Sequence, residues 1–279
     1  MNSAVMLLRT LSIGLLLASG SALAGPSEGR MMAYLEAQVE QQPNNPVHYL
    51  RRANGHAELG EWEDAFEDLI QVEQKGAAMA AALARGDFYQ RLGKAELALE
   101  QFNRVLSTQP NNVRALIKRG RLLVELAEPK AAMSDYRRLF QVYPDADTGH
   151  YRQAANLMVS QGQIEQALAL LDTRMQTTGP IPQLQSLAID IERDRGNYSA
   201  AIERMQSLHN RSKATPYWHV ELAELQLKAG STAKAHRHLN IAADLLKARQ
   251  QTGAARTLLQ RIGQLRQVAV AAESEELKG

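Results

Sequence analysis

Apolar positions fall at helical spacing along almost the whole chain, and they fall in phase. An alanine recurs at Ala65, Ala98, Ala132, Ala167, Ala201 and Ala235, at intervals of 33, 34, 35, 34 and 34 residues. Four residues after each, on the same helical face, stand Leu69, Phe102, Tyr136, Leu171, Met205 and Leu239. Twelve residues before each stand Ala53, Gly86, Gly120, Ala155, Ile189 and Ala223; Ala188 beside Ile189 points to a one-residue shift in the fifth unit. Between the two series, Gly60, Gly93, Gly162, Gly196 and Gly230 mark where a first helix stops, because glycine takes the left-handed conformation at no steric cost. Ala127 holds this place in the third unit, with Pro129 following in the first turn of the next helix. The pattern predicts six hairpins of two amphipathic helices, small residue against small residue. A period of this length marks a solenoid, in which no unit buries its apolar face without a neighbour.

The ends of the pattern carry their own signals. Pro110 and Pro144 fall where second helices must end, and Thr215-Pro216 gives a helix start. Gln42-Pro43-Asn44-Asn45 recurs as Gln109-Pro110-Asn111-Asn112, two periods on, so a lone helix over about 28–41 is expected, with Leu35 and Val39 facing inward. After the sixth unit the pattern runs through Ile241, Leu245 and Leu246 towards Gln251, and Gly253 breaks it. A last helix over about 254–271 places Leu258, Ile262, Leu265 and Ala269 on one side, with Arg256, Gln260, Arg261, Gln264 and Gln267 turned away. It reads as a cap, against the alternative of a basic helix lying on a membrane surface. Glu273, Glu275 and Glu276 are expected to fray.

The combination of small first-helix residue, glycine turn, alanine, large apolar residue and terminal proline resembles the tetratricopeptide repeat (TPR) over roughly residues 46–247. The clearest units are Tyr49 to Ala77, Gly86 to Pro110 and Leu116 to Pro144. The resemblance implies an all-α, right-handed superhelical solenoid of about six hairpins with capping helices at both ends. The expected organisation is a signal peptide at 1–24, an N-terminal capping helix at 25–45, the repeat array at 46–247 and a C-terminal capping helix and tail at 248–279.

Composition removes whole classes of chemistry. The chain has no cysteine, which excludes disulfides, thiolate metal sites, cysteine nucleophiles and a lipidated N-terminal cysteine. Arg9, the apolar run Leu11 to Leu17 and the small residues Ala22-Leu23-Ala24 read as a cleavable export signal, so the protein is expected in the periplasm and not as a lipoprotein. Basic and acidic residues number 32 and 30, so no global pull on nucleic acid is expected, and membrane contact is expected to be only indirect or peripheral. His236 and His238 point apart on a helix, and no third ligand joins His48 and His56 at metal-site spacing. Nucleophile-elbow, Walker and dinucleotide glycine patterns are missing. No catalytic residue, metal or cofactor is expected. Glu61 and Glu63 read as charges favoured at a helix N-terminus, Trp62 and Trp218 as packing residues, and the glycosylation patterns at Asn197 and Asn210 as meaningless in a bacterium.

One polar group rises above this background. Arg114, Lys118 and Arg121 share a face of the third unit's first helix, opposite Leu116, Gly120 and Leu123, with Glu125 partly offsetting them. Arg152 and Asn156 stand one turn apart in the next unit. The TPR resemblance places first helices along a concave groove, and the family's carboxylate clamp grips a peptide C-terminus there. Asn54, Arg114 and Lys118 match three of its five places, while Leu50 and Ala84 fill the other two; Glu221 stands where a base would continue a second, partial match. The expected partners are other proteins of the envelope, reached through an acidic or C-terminal segment, for a scaffold or adaptor in the bacterial cell envelope. The alternative is a binding protein for a small anionic ligand or polysaccharide in the same groove, although exposed aromatic platforms are scarce.

Overall fold

The structure, a computed structural model, describes residues 26–208, 215–247 and 252–276. The export segment at 1–24, the pattern at Asn210 and Gln251 lie outside them. All regular structure described is helical: α1 (Pro26–Gln41), α2 (Pro46–Leu59), α3 (Trp62–Gln74), α4 (Ala78–Arg91), α5 (Ala95–Thr108), α6 (Val113–Glu125), α7 (Pro129–Val142), α8 (Thr148–Ser160), α9 (Ile164–Thr178), α10 (Pro182–Asp194), α11 (Tyr198–Gln206), α12 (Pro216–Lys228), α13 (Thr232–Leu246) and α14 (Gly253–Glu276). From α2 to α13 they form six hairpins, with a single helix before and after. The chain divides between Tyr143 and Pro144 into two compact units, each a stack of helical hairpins of solenoid type. Unit 1 holds α1 to α7 and unit 2 holds α8 to α14, and within each unit every hairpin packs on its sequence neighbour.

The local signals act as the sequence predicts. Asn45 and Asn112, the last residues of the repeated tetrapeptide, cap α2 and α6 through their side-chain oxygens, which accept from Val47 N and Ala115 N at 3.0 Å. Gln42 and Gln109 in turn brace these asparagine amides. Such a cap stabilises a helix by about 1 kcal/mol. Thr215 caps α12 by accepting from Trp218 N. Gly60, Gly93, Gly162, Gly196 and Gly230 all have positive φ. At the third turn Ala127 takes the same left-handed conformation, φ 57°, so the turn keeps its shape and its alanine bears a steric cost of about 1–2 kcal/mol.

The six recurring alanines are fully buried, and so are the large residues four positions on. Ala188 is fully buried and Ile189 only partly, so Ala188 is the small contact of the fifth unit; the expected one-residue shift does not occur, because Ile191, Glu192 and the turn glycine Gly196 keep the phase of the other units. Trp62 meets Phe88 edge-on at 5.9 Å, and Phe66 meets the same ring at 5.7 Å. Trp218 is buried and donates its indole N–H to Met205 O at 3.2 Å. Both tryptophans thus pack, as expected. Leu35 and Val39 bury α1 against α2, where a Cβ on Gly55 would lie 2.9 Å from Leu35 Cδ1. At the other end Leu258, Ile262 and Ala255 of α14 join Leu239, Ala242 and Leu246 in one core cluster. One expectation fails here: α14 does not fray after 271 but runs to Glu276, and Glu273 approaches His236 Nε2 at 3.5 Å. Covering the last hairpin extends the helix beyond its own apolar stripe.

Ion pairs inside the hairpins repeat with the same two-period offset as the tetrapeptide. Arg52 grips Asp68 with two hydrogen bonds of 2.8 and 2.7 Å, and Arg119 grips Asp135 at 2.8 and 2.5 Å. Both aspartates are almost wholly buried, at 3% and 2% exposure. Arg204 makes a similar fork to Asp172 in unit 2. Planar two-point pairing fixes orientation as well as charge.

Gly86 and Gly120 occupy equivalent first-helix positions but differ in room. A Cβ on Gly86 would lie 2.4 Å from the Phe102 ring, whereas one on Gly120 would sit 3.5 Å from its nearest neighbour, in ordinary contact. Gly86→Ala is expected to destabilise by about 1–3 kcal/mol through overpacking. Gly120→Ala is expected to be neutral or to stabilise by up to about 1 kcal/mol through helix propensity. Urea denaturation of the two variants checks the contrast.

Candidate functional site

Unit 1 gathers the clamp positions that the sequence marks. Leu50 and Asn54 of α2, Ala84 and Asp87 of α4, and Arg114 and Lys118 of α6 line one cavity of about 330 Å3, with Ala80 and Leu83. Three successive first helices supply the walls, because residues one helical turn apart on each face the same way. Asn54 is exposed and its amide donates to Leu50 O at 2.8 Å. Arg114 is exposed at the cavity wall. Asp87 was not foreseen: its Oδ1 lies 2.6 Å from Lys118 Nζ, so half of the basic pair is already neutralised from the neighbouring helix. Arg121 is exposed but lies outside this lining. Its charge acts instead on Tyr136, whose hydroxyl burial pushes up to about 12 while Arg121 pulls the other way. Thus Arg114 and Lys118 share a site with Asn54, and Arg121 stands apart from it. Arg152 and Asn156 are exposed on α8 in unit 2.

Unit 2 has its own cavity of about 410 Å3, walled by α10, α12 and Arg261 of α14. Its charged lining is mixed, with Asp190 and Arg193 from α10, and Glu221, Glu224 and Lys228 from α12. Asp190 pairs with Arg193 at 2.8 Å, and Glu224 pairs with Arg261. Burial, reinforced by the nearby Asp190 charge, holds the Glu221 carboxyl above the ordinary carboxylate range, against Arg193 and Arg261.

Two histidine arrangements correct the sequence reading. His236 and His238 do point apart, but His238 Nδ1 lies 2.9 Å from His219 Nδ1 on α12, with the rings stacked at 5.1 Å and Trp218 edge-on to both. His56 Nδ1 lies 2.7 Å from Glu61 Oε2, and Asp64 stands near enough for all three ligand atoms to lie within 4.8 Å of one another. The third group that His48 and His56 lacked in sequence is therefore a pair of turn carboxylates on His56 alone. The His56–Glu61 bond closes the first hairpin's turn, so Glu61 does more than favour the dipole of α3.

Comparison with known proteins accords with this anatomy. Residues 80–112, which cover α5 and nearly all of α4, match the family model described as the tetratricopeptide repeat. Human tetratricopeptide repeat protein 34 is 28% identical over 180 residues, covering 63% of this chain and 29% of that protein. Human mitochondrial import receptor subunit TOM70 is 29% identical over 155 residues, covering 50% of this chain and 25% of that protein. The matched stretches span less than a third of the length of these relatives. Among solved structures, the MamA protein superposes with a TM-score of 0.51 at 16% identity, covering 64% of this chain and 98% of that one, a likeness of fold.

The histidine pair gives a pH dependence with a defined sign. Burial lowers the pKa of both His219 and His238, and for His238 the neighbouring His219 and Arg237 lower it further. A base with a folded pKa below its unfolded value of about 6.5 binds more protons unfolded, so stability is complete above that value and falls as pH drops towards the folded pKa. The melting temperature is expected to fall between pH 7.5 and 5.5, and His238→Gln to flatten that slope. Thermal melts across the range check it. With six in-phase hairpins, a tetratricopeptide-repeat match over residues 80–112 and a MamA-like fold, the chain is similar to tetratricopeptide-repeat proteins.

Proposed function

We propose that this chain is a protein–protein interaction scaffold of the bacterial cell envelope, holding partners through the first-helix face of its hairpins. The single observation that carries the reading is the unit 1 cavity, where Asn54 of α2 and Arg114 and Lys118 of α6 share one lining with Asp87 of α4. A solenoid presents such a face as an extended binding surface, and an extended peptide fits walls built one helix at a time. Arg114 supplies a planar, permanently charged donor for a carboxylate, and Lys118 a second cation tempered by Asp87. The preferred partner is therefore a protein segment carrying an acidic or C-terminal carboxylate. TOM70, named an import receptor subunit, is a relative whose printed role fits this class. The envelope setting rests on residues 1–24, whose charge, apolar run and small residues suit export into the periplasm. Among the described residues no helix is long and apolar enough to cross a membrane.

Affinity capture from envelope extract, comparing the native chain with the Arg114→Ala, Lys118→Ala, Arg121→Ala triple variant, tests the site. Loss of an Arg–carboxylate contact is worth about 1.5–3 kcal/mol, so binding of an acidic peptide is expected to weaken at least tenfold. Undiminished recovery of the partner by the triple variant sinks the assignment. Export has a separate check: the protein from its own cell is expected to begin at Gly25, and an N-terminus at Met1 would discard cleavage.

A further inference from the structure

The cavity of unit 2 repeats the construction of the one in unit 1 with a different charge. Lys118 and Glu221 hold the same repeat position, fourteen residues before Ala132 and Ala235, and Asp87 and Asp190 hold another, eleven residues before Ala98 and Ala201. In unit 1 these two positions meet across neighbouring first helices as the Lys118–Asp87 ion pair. In unit 2 they bring Glu221 and Asp190 to the wall of one cavity. Two acids stand where the other unit has an acid and a base. Asp190 and Glu224 have arginine partners, but among the described residues the Glu221 carboxylate makes no ion pair or hydrogen bond. Glu221 is exposed to solvent along the cavity wall, and partial burial with the Asp190 charge nearby raises its pKa.

Glu221 also borders a second cavity of about 360 Å3, whose lining includes Tyr217, Val220, Ala254 and Leu258, with Arg261 shared between the two. Tyr217 is exposed there and presents its ring to the cavity lining. An uncommitted anion at the junction of a polar and an apolar cavity suits a ligand with a cation and an apolar group side by side. Arg193 and Arg261 flank the anion, so a run of several positive charges is disfavoured and a single one is selected.

We propose that the paired cavity of α10, α12 and α14 is a docking site for a partner polypeptide, which places one lysine or arginine side chain against Glu221 and Asp190 and an adjacent apolar side chain among Tyr217, Val220 and Leu258. It rests on the reading of the chain as an interaction scaffold, and it takes a partner segment of opposite charge to that of the unit 1 cavity.

The test uses the full chain and an array of capped octapeptides with an apolar residue beside lysine, arginine, glutamine or norleucine, followed by fluorescence anisotropy on the bound peptides. Peptides carrying lysine or arginine are expected to bind at least tenfold tighter than their glutamine and norleucine counterparts, and to weaken in salt. Glu221→Gln is expected to lose about tenfold, and Glu221→Lys to abolish that preference. Because Glu221→Lys recreates the Lys118–Asp87 arrangement opposite Asp190, it is also expected to raise the melting temperature by about 1–3 °C, showing that loss of binding is not loss of folding. Equal affinity for charged and neutral peptides, indifference to both variants, or no bound peptide overturns the proposal. So does a melting shift with calcium alone that Glu221→Gln removes while no peptide competes. The Arg114, Lys118 and Arg121 triple variant separates the two readings. Failure of the cationic peptides alone removes this site, and failure of both acidic and cationic peptides removes the scaffold.

Discussion

Everything in this fold depends on how closely the two helices of a hairpin approach at the recurring alanine. A methyl group at that point, fully buried in all six hairpins, lets the facing first helix come near enough for the next large side chain to be enclosed. Replacing the methyl with anything longer separates the helices, and a separated pair no longer offers a continuous apolar face to its neighbour. Close approach also explains why the first helices carry Ala53, Gly86, Gly120, Ala155, Ala188 and Ala223 opposite. At Gly86 it has been taken to the limit, since the Phe102 ring occupies the space a side chain would need.

Once that spacing is set, each first helix presents fixed stations along one face, and the stations are free to vary in charge. Asn54, Asp87, Arg121, Asn156, Asp190 and Glu224 occupy one such station in the six hairpins. The scaffold does not care which is present, because none contributes to the close contact. What matters chemically is the pairing between one hairpin's station and the next. The structural forks Arg52–Asp68 and Arg119–Asp135 follow a different rule: they lie within a hairpin, bury their aspartates and fix how its two helices are clocked. An unpaired buried aspartate there would be costly, whereas a pair of apolar residues would not orient the helices.

That division explains what could be read from the sequence alone. The hairpins, their turns, the small contact at Ala188 and the terminal helices all follow from local periodicity, so they were legible. The clamp stations came from the resemblance to the tetratricopeptide repeat, which implies the places that Leu50, Asn54, Ala84, Arg114 and Lys118 fill. Asp87 opposite Lys118, His219 beside His238 and Asp64 near His56 were not legible, since each depends on which side chain reaches across to another helix. Repeat phase held the signal for Asp87 and Asp190, one hairpin before Lys118 and Glu221, but it shows only when facing stations are compared between neighbours. Glu273 was misjudged for the opposite reason: its own segment is polar, and only the presence of His236 across the interface gives it a partner.

The forks and bridges between hairpins reach only a short way along the chain. Arg91 to Ala57, Arg204 to Asp172 and Arg261 to Glu224 span 34, 32 and 37 positions. A polypeptide with such low contact order closes no large loops, so within either unit two adjacent hairpins can nucleate and the rest can add on. Each hairpin therefore needs only its sequence neighbour to fold, and a lesion in one unit leaves the hairpins of the other able to assemble.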